Sequence, residues 1–223
     1  MTKLSRFSWL AIISFTLILS GCAMQNPTQR IKNAAVVEKR IGIVVQSSGY
    51  PSVSRRNRSY MLSTQSNIYQ GDIIETDEGS MMKIKMNDGS TFVLGHNTHF
   101  VIHYYKYESK LKSLIARISF TSGSLLTSTL EDTLAQKSRF EITTPLGVIG
   151  AQAAEFWSGF TFGQNRLDTL MLKGSNVVIS NDHGSAEIEE NKYGTAIMGN
   201  SAPKKPEIWS NRKLDEALVT IIF

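Results

Sequence analysis

Along this chain apolar and polar residues alternate over short stretches, and glycine-bearing turns separate the stretches. Met81 to Met86 shows the pattern, with Met82, Ile84 and Met86 on one face and Lys83 and Lys85 on the other. A period of two is that of a half-buried strand. Asn87-Asp88-Gly89 follows and predicts a hairpin, because these residues tolerate the positive φ of a tight turn. Thr91 to Leu94 is the return strand. The same reading predicts strands at 42–46, 73–75, 100–105, 115–121, 140–143, 155–162, 170–172, 176–180, 186–189 and 194–198. Many short, evenly spaced strands predict an all-β fold: a sandwich, a jelly roll or a short β-solenoid. Only the end of the chain has a helical period. There Ser210 can cap a short helix that carries Leu214, Ala217, Leu218 and Ile221 on one face. Pro203-Lys204-Lys205-Pro206 reads as an extended linker before it.

The first residues follow a different rule. Lys3 and Arg6 precede an apolar stretch from Trp9 to Leu19, which ends in Leu19-Ser20-Gly21-Cys22. A basic start, a short apolar segment and small residues make a secretory signal. The apolar stretch is about half the roughly 20 residues a permanent spanning helix needs. Leu19-Ser20-Gly21-Cys22 resembles the lipobox of bacterial lipoprotein precursors, which implies lipidation of Cys22 and removal of the residues before it. Cys22 is the only cysteine, so no intramolecular disulfide can form. Two or three acyl chains hold a protein stably at a membrane where one does not. Ala23, in place of an aspartate, points by the same resemblance to an outer membrane facing the periplasm. The expected organisation is a signal peptide over 1–21, a solvated tether over 22–39, a β domain over 40–200, and a linker with a helix over 201–223.

Charge narrows the function classes. The chain has 24 Lys+Arg, and removing Lys3 and Arg6 leaves 22 against 19 Asp+Glu, a net +3. That mild balance in an exported protein argues against a nucleic-acid partner. Arg55-Arg56-Asn57-Arg58 is the one dense basic run; it reads as a solvated loop, or as a contact for anionic headgroups or a cell-wall polymer.

Several short motifs, taken in order, resemble the FecR domain, a bacterial periplasmic β domain. They begin with Gly42-Ile43-Val44, Gly71-Asp72-Ile73-Ile74 with Thr76, and Gly79-Ser80. Asp88-Gly89-Ser90, Leu94-Gly95 with Asn97, Gly123-Ser124-Leu125, Phe140 and Thr144-Pro145 follow. The third block is Val148-Ile149-Gly150-Ala151-Gln152-Ala153-Ala154-Glu155-Phe156, and Leu170 to Gly174 and Gly194 close the series. The motifs also have direct physical readings. Gly71-Asp72 and Asp88-Gly89 are turns whose carboxylates can accept from backbone N–H groups. Thr144-Pro145 sets an extended approach to the next strand. The chain departs from the family at Gln152-Ala153-Ala154, where Arg-Gly-Thr is usual, so a reshaped turn is expected there.

The resemblance implies a non-catalytic module that binds, scaffolds or signals in the cell envelope, with an envelope protein or a cell-wall polymer as partner. Transmembrane regulators that carry this domain have a cytoplasmic anti-sigma segment. Fewer than ten residues precede the apolar stretch here, so the sequence predicts no such segment. A lipid-tethered FecR module is the favoured reading, and a cell-wall or polysaccharide binder is the alternative. An envelope hydrolase is disfavoured because no nucleophile–base or paired-acid spacing is visible.

Candidate ligand chemistry is sparse. His99 and His103 share a strand face and are weak metal candidates with no cysteine or carboxylate to complete a set. No metal or cofactor is expected. Phe156, Phe160 and Phe162 fall on one strand face as candidate core, and Trp157 points the other way as the candidate ligand contact.

Overall fold

The structure, a computed structural model, describes residues 39–130 and 138–223. Leu19, Ser20, Gly21 and Cys22, and most of the expected tether, lie outside the described residues.

The alternating segments form strands. In chain order they are β1 (Arg40–Ser48), β2 (Ser52–Arg55), β3 (Arg58–Met61), β4 (Asn67–Tyr69), β5 (Ile73–Glu75) and β6 (Met81–Met86). Then come β7 (Thr91–Leu94), β8 (His99–Glu108), β9 (Ser113–Ser122), β10 (Ser124–Ser128) and β11 (Arg139–Thr144). β12 (Gly147–Gly159), β13 (Arg166–Asn181), β14 (Gly184–Ile188), β15 (Tyr193–Met198) and β16 (Glu207–Ile208) complete the set. One helix, α1 (Asn211–Leu218), and a 3-10 turn at Val219–Ile221 follow. The protein is all-β with a short C-terminal helix. Ser210 accepts the Lys213 N–H at the helix start.

Among the described residues all sixteen strands belong to one hydrogen-bonded sheet. Its main path runs β3-β2-β5-β8-β9-β11-β12-β10-β7-β6-β1-β4, and β13 branches from β12 to carry β14, β15 and β16. Neighbours pair antiparallel except β9 and β11, which are parallel. The sheet is curled on itself, so its inner residues meet in one apolar cluster. Ile68, Ile84, Phe92, Phe100, Phe120 and Phe156 are fully buried there. Phe92 lies 5.3 Å from the Phe100 ring and 6.3 Å from Phe140.

The curl brings the two ends of the path together. β4 is the last strand and β5 the third, yet only residues 70–72 separate them in sequence. Gly71 takes φ +87° at this corner, a conformation that glycine reaches without strain. The Gly71 N–H donates to the Ile102 carbonyl at 2.7 Å, and the Ile102 N–H donates to that of Asp72 at 3.0 Å. Asp72 is fully buried and accepts from the Tyr69 N–H at 2.9 Å. Arg55, from β2, donates Nε and Nη2 to the two Asp72 oxygens, each at 2.6 Å. Its guanidinium also lies 4.4 Å from the centre of the Tyr69 ring. One arginine thus holds strands from both ends of the sheet.

A second buried carboxylate fixes the β6–β7 turn. Asp88 accepts from the Ser90 hydroxyl at 2.6 Å and from the Tyr105 phenol on β8 at 2.8 Å. Burial, then the negative charge of Asp88, pushes the Tyr105 phenol well above its ordinary range, so it stays a donor. Among the described residues no helix is long and apolar enough to cross a membrane.

Removing one partner of a buried ion pair leaves the other uncompensated, at a cost of about 3–5 kcal/mol. Arg55 keeps some solvent contact (21 % of its side chain), which reduces that figure. Asp72→Ala is therefore expected to lose about 2–4 kcal/mol in urea unfolding. Glu108→Ala breaks an exposed contact to Lys106 at 3.9 Å and should cost under about 0.5 kcal/mol. Equal losses would show that the seam has no special weight.

Candidate interaction surface

β2 pairs β5 within the sheet, and β3 beyond it is an edge strand. Arg55 and Arg58 pair directly, and the two residues between them, Arg56 and Asn57, have φ +49° and +60°. Two positive φ values match the turn type that preserves strand twist in a two-residue hairpin. All four residues of β3 are exposed, and among the described residues β3 pairs with β2 alone. In such a hairpin the pair flanking the turn is hydrogen-bonded, and backbone groups then alternate inward and outward. The inward series continues at Leu62, whose N–H donates to the Pro51 carbonyl at 2.8 Å. The N–H groups of Ser59 and Met61 therefore face the open edge. Beside them lie apolar side chains, Tyr60 46 % and Met61 60 % exposed. The basic run is thus divided: Arg55 is bound in the seam, while Arg58 is exposed on the edge strand.

The other candidate residues have definite places. Thr144 and Pro145 open the β11–β12 turn, where the Thr144 hydroxyl donates to the Gly147 carbonyl at 2.7 Å and accepts its N–H at 3.1 Å. Asp88, Gly89 and Ser90 form the β6–β7 turn, and Phe156 is in the core.

Trp157 is a correction. It is fully buried and offers no face to a ligand. The side of the sheet it points to is covered by the C-terminal segment. Trp157, Leu170, Trp209 and Ala217 form a second apolar cluster, and Leu214 and Ile221 pack on it. The indole N–H donates to the Thr220 hydroxyl at 3.0 Å. Phe162 joins this cluster, 5.7 Å from Trp157, instead of sharing a face with Phe156. β12 ends at Gly159, so strand alternation no longer governs residue 162.

Sequence reading missed what locks this cover. Asp168, fully buried, accepts two bonds from Arg166 and one from Lys213 Nζ at 2.8 Å. Lys213 also sits 3.7 Å from the centre of a Trp209 ring. Arg166 and Asp168 are two apart on one strand face, which was the available signal. Lys213 comes from α1, 45 positions away, and gave none.

His99 and His103 do lie on one strand, but each ring bonds a β9 hydroxyl. His99 Nδ1 is 3.0 Å from Thr121 Oγ1 and His103 Nε2 is 2.7 Å from Ser119 Oγ. Glu75 approaches His99 Nε2 only to 4.0 Å. Among the described residues no three His, Cys, Asp or Glu side chains gather as a metal-holding group.

Residues 72–191 match the family model described as FecR protein. The chain belongs to the FecR family. No curated protein matches it. Two crystal structures from Parabacteroides distasonis ATCC 8503, at 2.50 and 1.65 Å, resemble its fold. Each is of a protein proposed to be an anti-sigma factor. They have TM-scores of 0.51 and 0.50, each at 12 % identity. Each covers 66 % of this chain, which spans 63 % and 64 % of theirs.

The departure from the FecR pattern has a local geometry. Ala153, where the family usually has glycine, takes φ +46°. Opposite it Gly174 has φ +125°, and a Cβ there would meet the Ala153 carbonyl at 2.3 Å. Residues 152–154 lie inside β12 and not in a turn, and Ala154 exchanges bonds with Thr129. A left-handed alanine costs roughly 1–2 kcal/mol, partly offset because glycine loses more freedom on folding. Ala153→Gly should thus leave stability unchanged or raise it by about 1 kcal/mol. Gly174→Ala should lower it by more than about 2 kcal/mol. Thermal unfolding checks both; a destabilised Ala153→Gly would contradict this geometry.

Proposed function

We propose that this FecR-family chain is a non-catalytic envelope module, lipid-anchored through Cys22, that takes an extended segment of a partner protein along β3. The open β3 edge carries the reading. Unpaired N–H and C=O groups on a sheet edge are a template for strand addition. Tyr60 and Met61 supply apolar contact beside them, and Arg58 favours an acidic segment. Family membership and the two P. distasonis structures support a signalling role in the envelope. Leu19-Ser20-Gly21-Cys22 supports the lipid anchor, and Ala23 supports an outer-membrane site facing the periplasm. Residues 40–200 are proposed as the FecR domain, with 201–223 as its C-terminal cover.

A photocrosslinker at Met61 in living cells tests the docking reading. Crosslinks should map to an extended acidic stretch of one protein and fall at least about tenfold in Ser59→Pro. That substitution removes an outward N–H without touching the β2–β3 bonds. Crosslinking unaffected by Ser59→Pro, or only to peptidoglycan, would refute strand addition. The anchor is tested separately. Cys22→Ser should abolish palmitate labelling and leave unprocessed precursor, and normal maturation of that variant would refute it.

A further inference from the structure

The domain is electrically polarised along β8. Near the start of this ten-residue strand, roughly 33 Å long, lie the exposed acids Glu75, Asp77 and Glu78. At its other end the β8–β9 hairpin projects as a tight tip. There the Leu111 N–H donates to the Glu108 carbonyl and that of Lys112 to the Ser109 carbonyl. Leu111 is 62 % exposed at this tip and stands between Lys110 and Lys112.

The same end is where the chain enters the domain. Lys39, Ile41, Asn87, Tyr105, Lys106 and Tyr107 line one shallow cleft. The Asn87 side-chain amide donates to the Arg40 carbonyl at 2.7 Å and ties the entry in place. Tyr107 is four residues from Leu111, so the tip lies within about 13 Å of the cleft. Across residues 39–41 and 105–112 there are five cations (Lys39, Arg40, Lys106, Lys110 and Lys112) and one acid, Glu108, a net +4.

We propose that this end is a lipid-facing surface. Lys39, Arg40, Lys106, Lys110 and Lys112 would meet anionic phospholipid headgroups while Leu111 enters the interface. The proposal rests on the reading that the chain is held at a membrane from its N-terminal side. The described chain begins at Lys39 among these residues, so this end of the domain is the one nearest the tether. Each lysine near an anionic surface adds attraction, and an apolar side chain among them inserts at the headgroup boundary. The domain would then be oriented, not merely retained.

The test supplies its own tether. The chain from residue 22, carrying Cys22→Ser, is held by an N-terminal histidine tag on nickel-chelating vesicles of phosphatidylcholine and phosphatidylglycerol. This piece contains every residue of the described core. A fluorophore is placed at Ser109→Cys or, as control, at Tyr50→Cys beside the acidic end, and the headgroups carry a nitroxide quencher. Quenching should be several-fold stronger at 109 than at 50. It should fall by at least half when phosphatidylglycerol is omitted or when Lys106, Lys110 and Lys112 are changed to glutamine. Equal quenching at the two positions, or quenching at 109 that ignores lipid charge and the lysines, would overturn the proposal. Acylation of Cys22 does not enter this experiment, so failure here and failure of the anchor reading are distinguishable.

Discussion

The ion pair between Arg55 and Asp72 is the constraint on which the rest of the structure depends. A twisted sheet of many strands curls, but curling alone does not decide where its ends stop. Here the far strand and the near strands are joined by a three-residue corner, and the corner's carboxylate is buried. A carboxylate in that position requires a partner, because desolvation of an unpaired charge is costly. Arg55 supplies two short bonds from one end of the sheet and stacks on Tyr69 at the other. The inner face becomes a closed core, and β3, paired to β2, is left as an open edge.

The same economy recurs at the other buried carboxylates. Asp88 fixes a turn to β8 through Tyr105, and Asp168 fixes α1 to β13 through Lys213. Each acid bonds an element distant in sequence. Long-range order in this sheet is thus set at a few polar points, while the apolar clusters supply bulk burial. The two kinds of interaction divide the work: burial favours a compact state, and charged or phenolic donors select one arrangement of it.

What could be read from the sequence followed from local period and turn chemistry. Met81–Met86 and its hairpin are local features, and the strand appears at those bounds. The helix announced by Ser210 is local too. Gly71-Asp72 was legible as a turn with a carboxylate acceptor, but its arginine was not, because Arg55 lies 17 positions away. The sixteen-strand order was equally illegible, since pairing such as β7 with β10 depends on contacts across the curl. Trp157 was misread for the same reason: alternation correctly turns it away from Phe156, but nothing local says that Trp209 and α1 cover that side. The polar network of Thr76, Thr98 and Ser124 around the Gly95 carbonyl also joins residues from separate strands and loops.

Site-resolved hydrogen exchange in Asp72→Ala tests the seam most directly. Amides in subglobally opening regions exchange before the rest of the core. Tyr69, Gly71 and Ile102, together with β2 and β4, should lose protection first, while β12 and β13 keep theirs. Loss of protection by one common factor throughout the sheet, or no loss at the seam, would contradict this order.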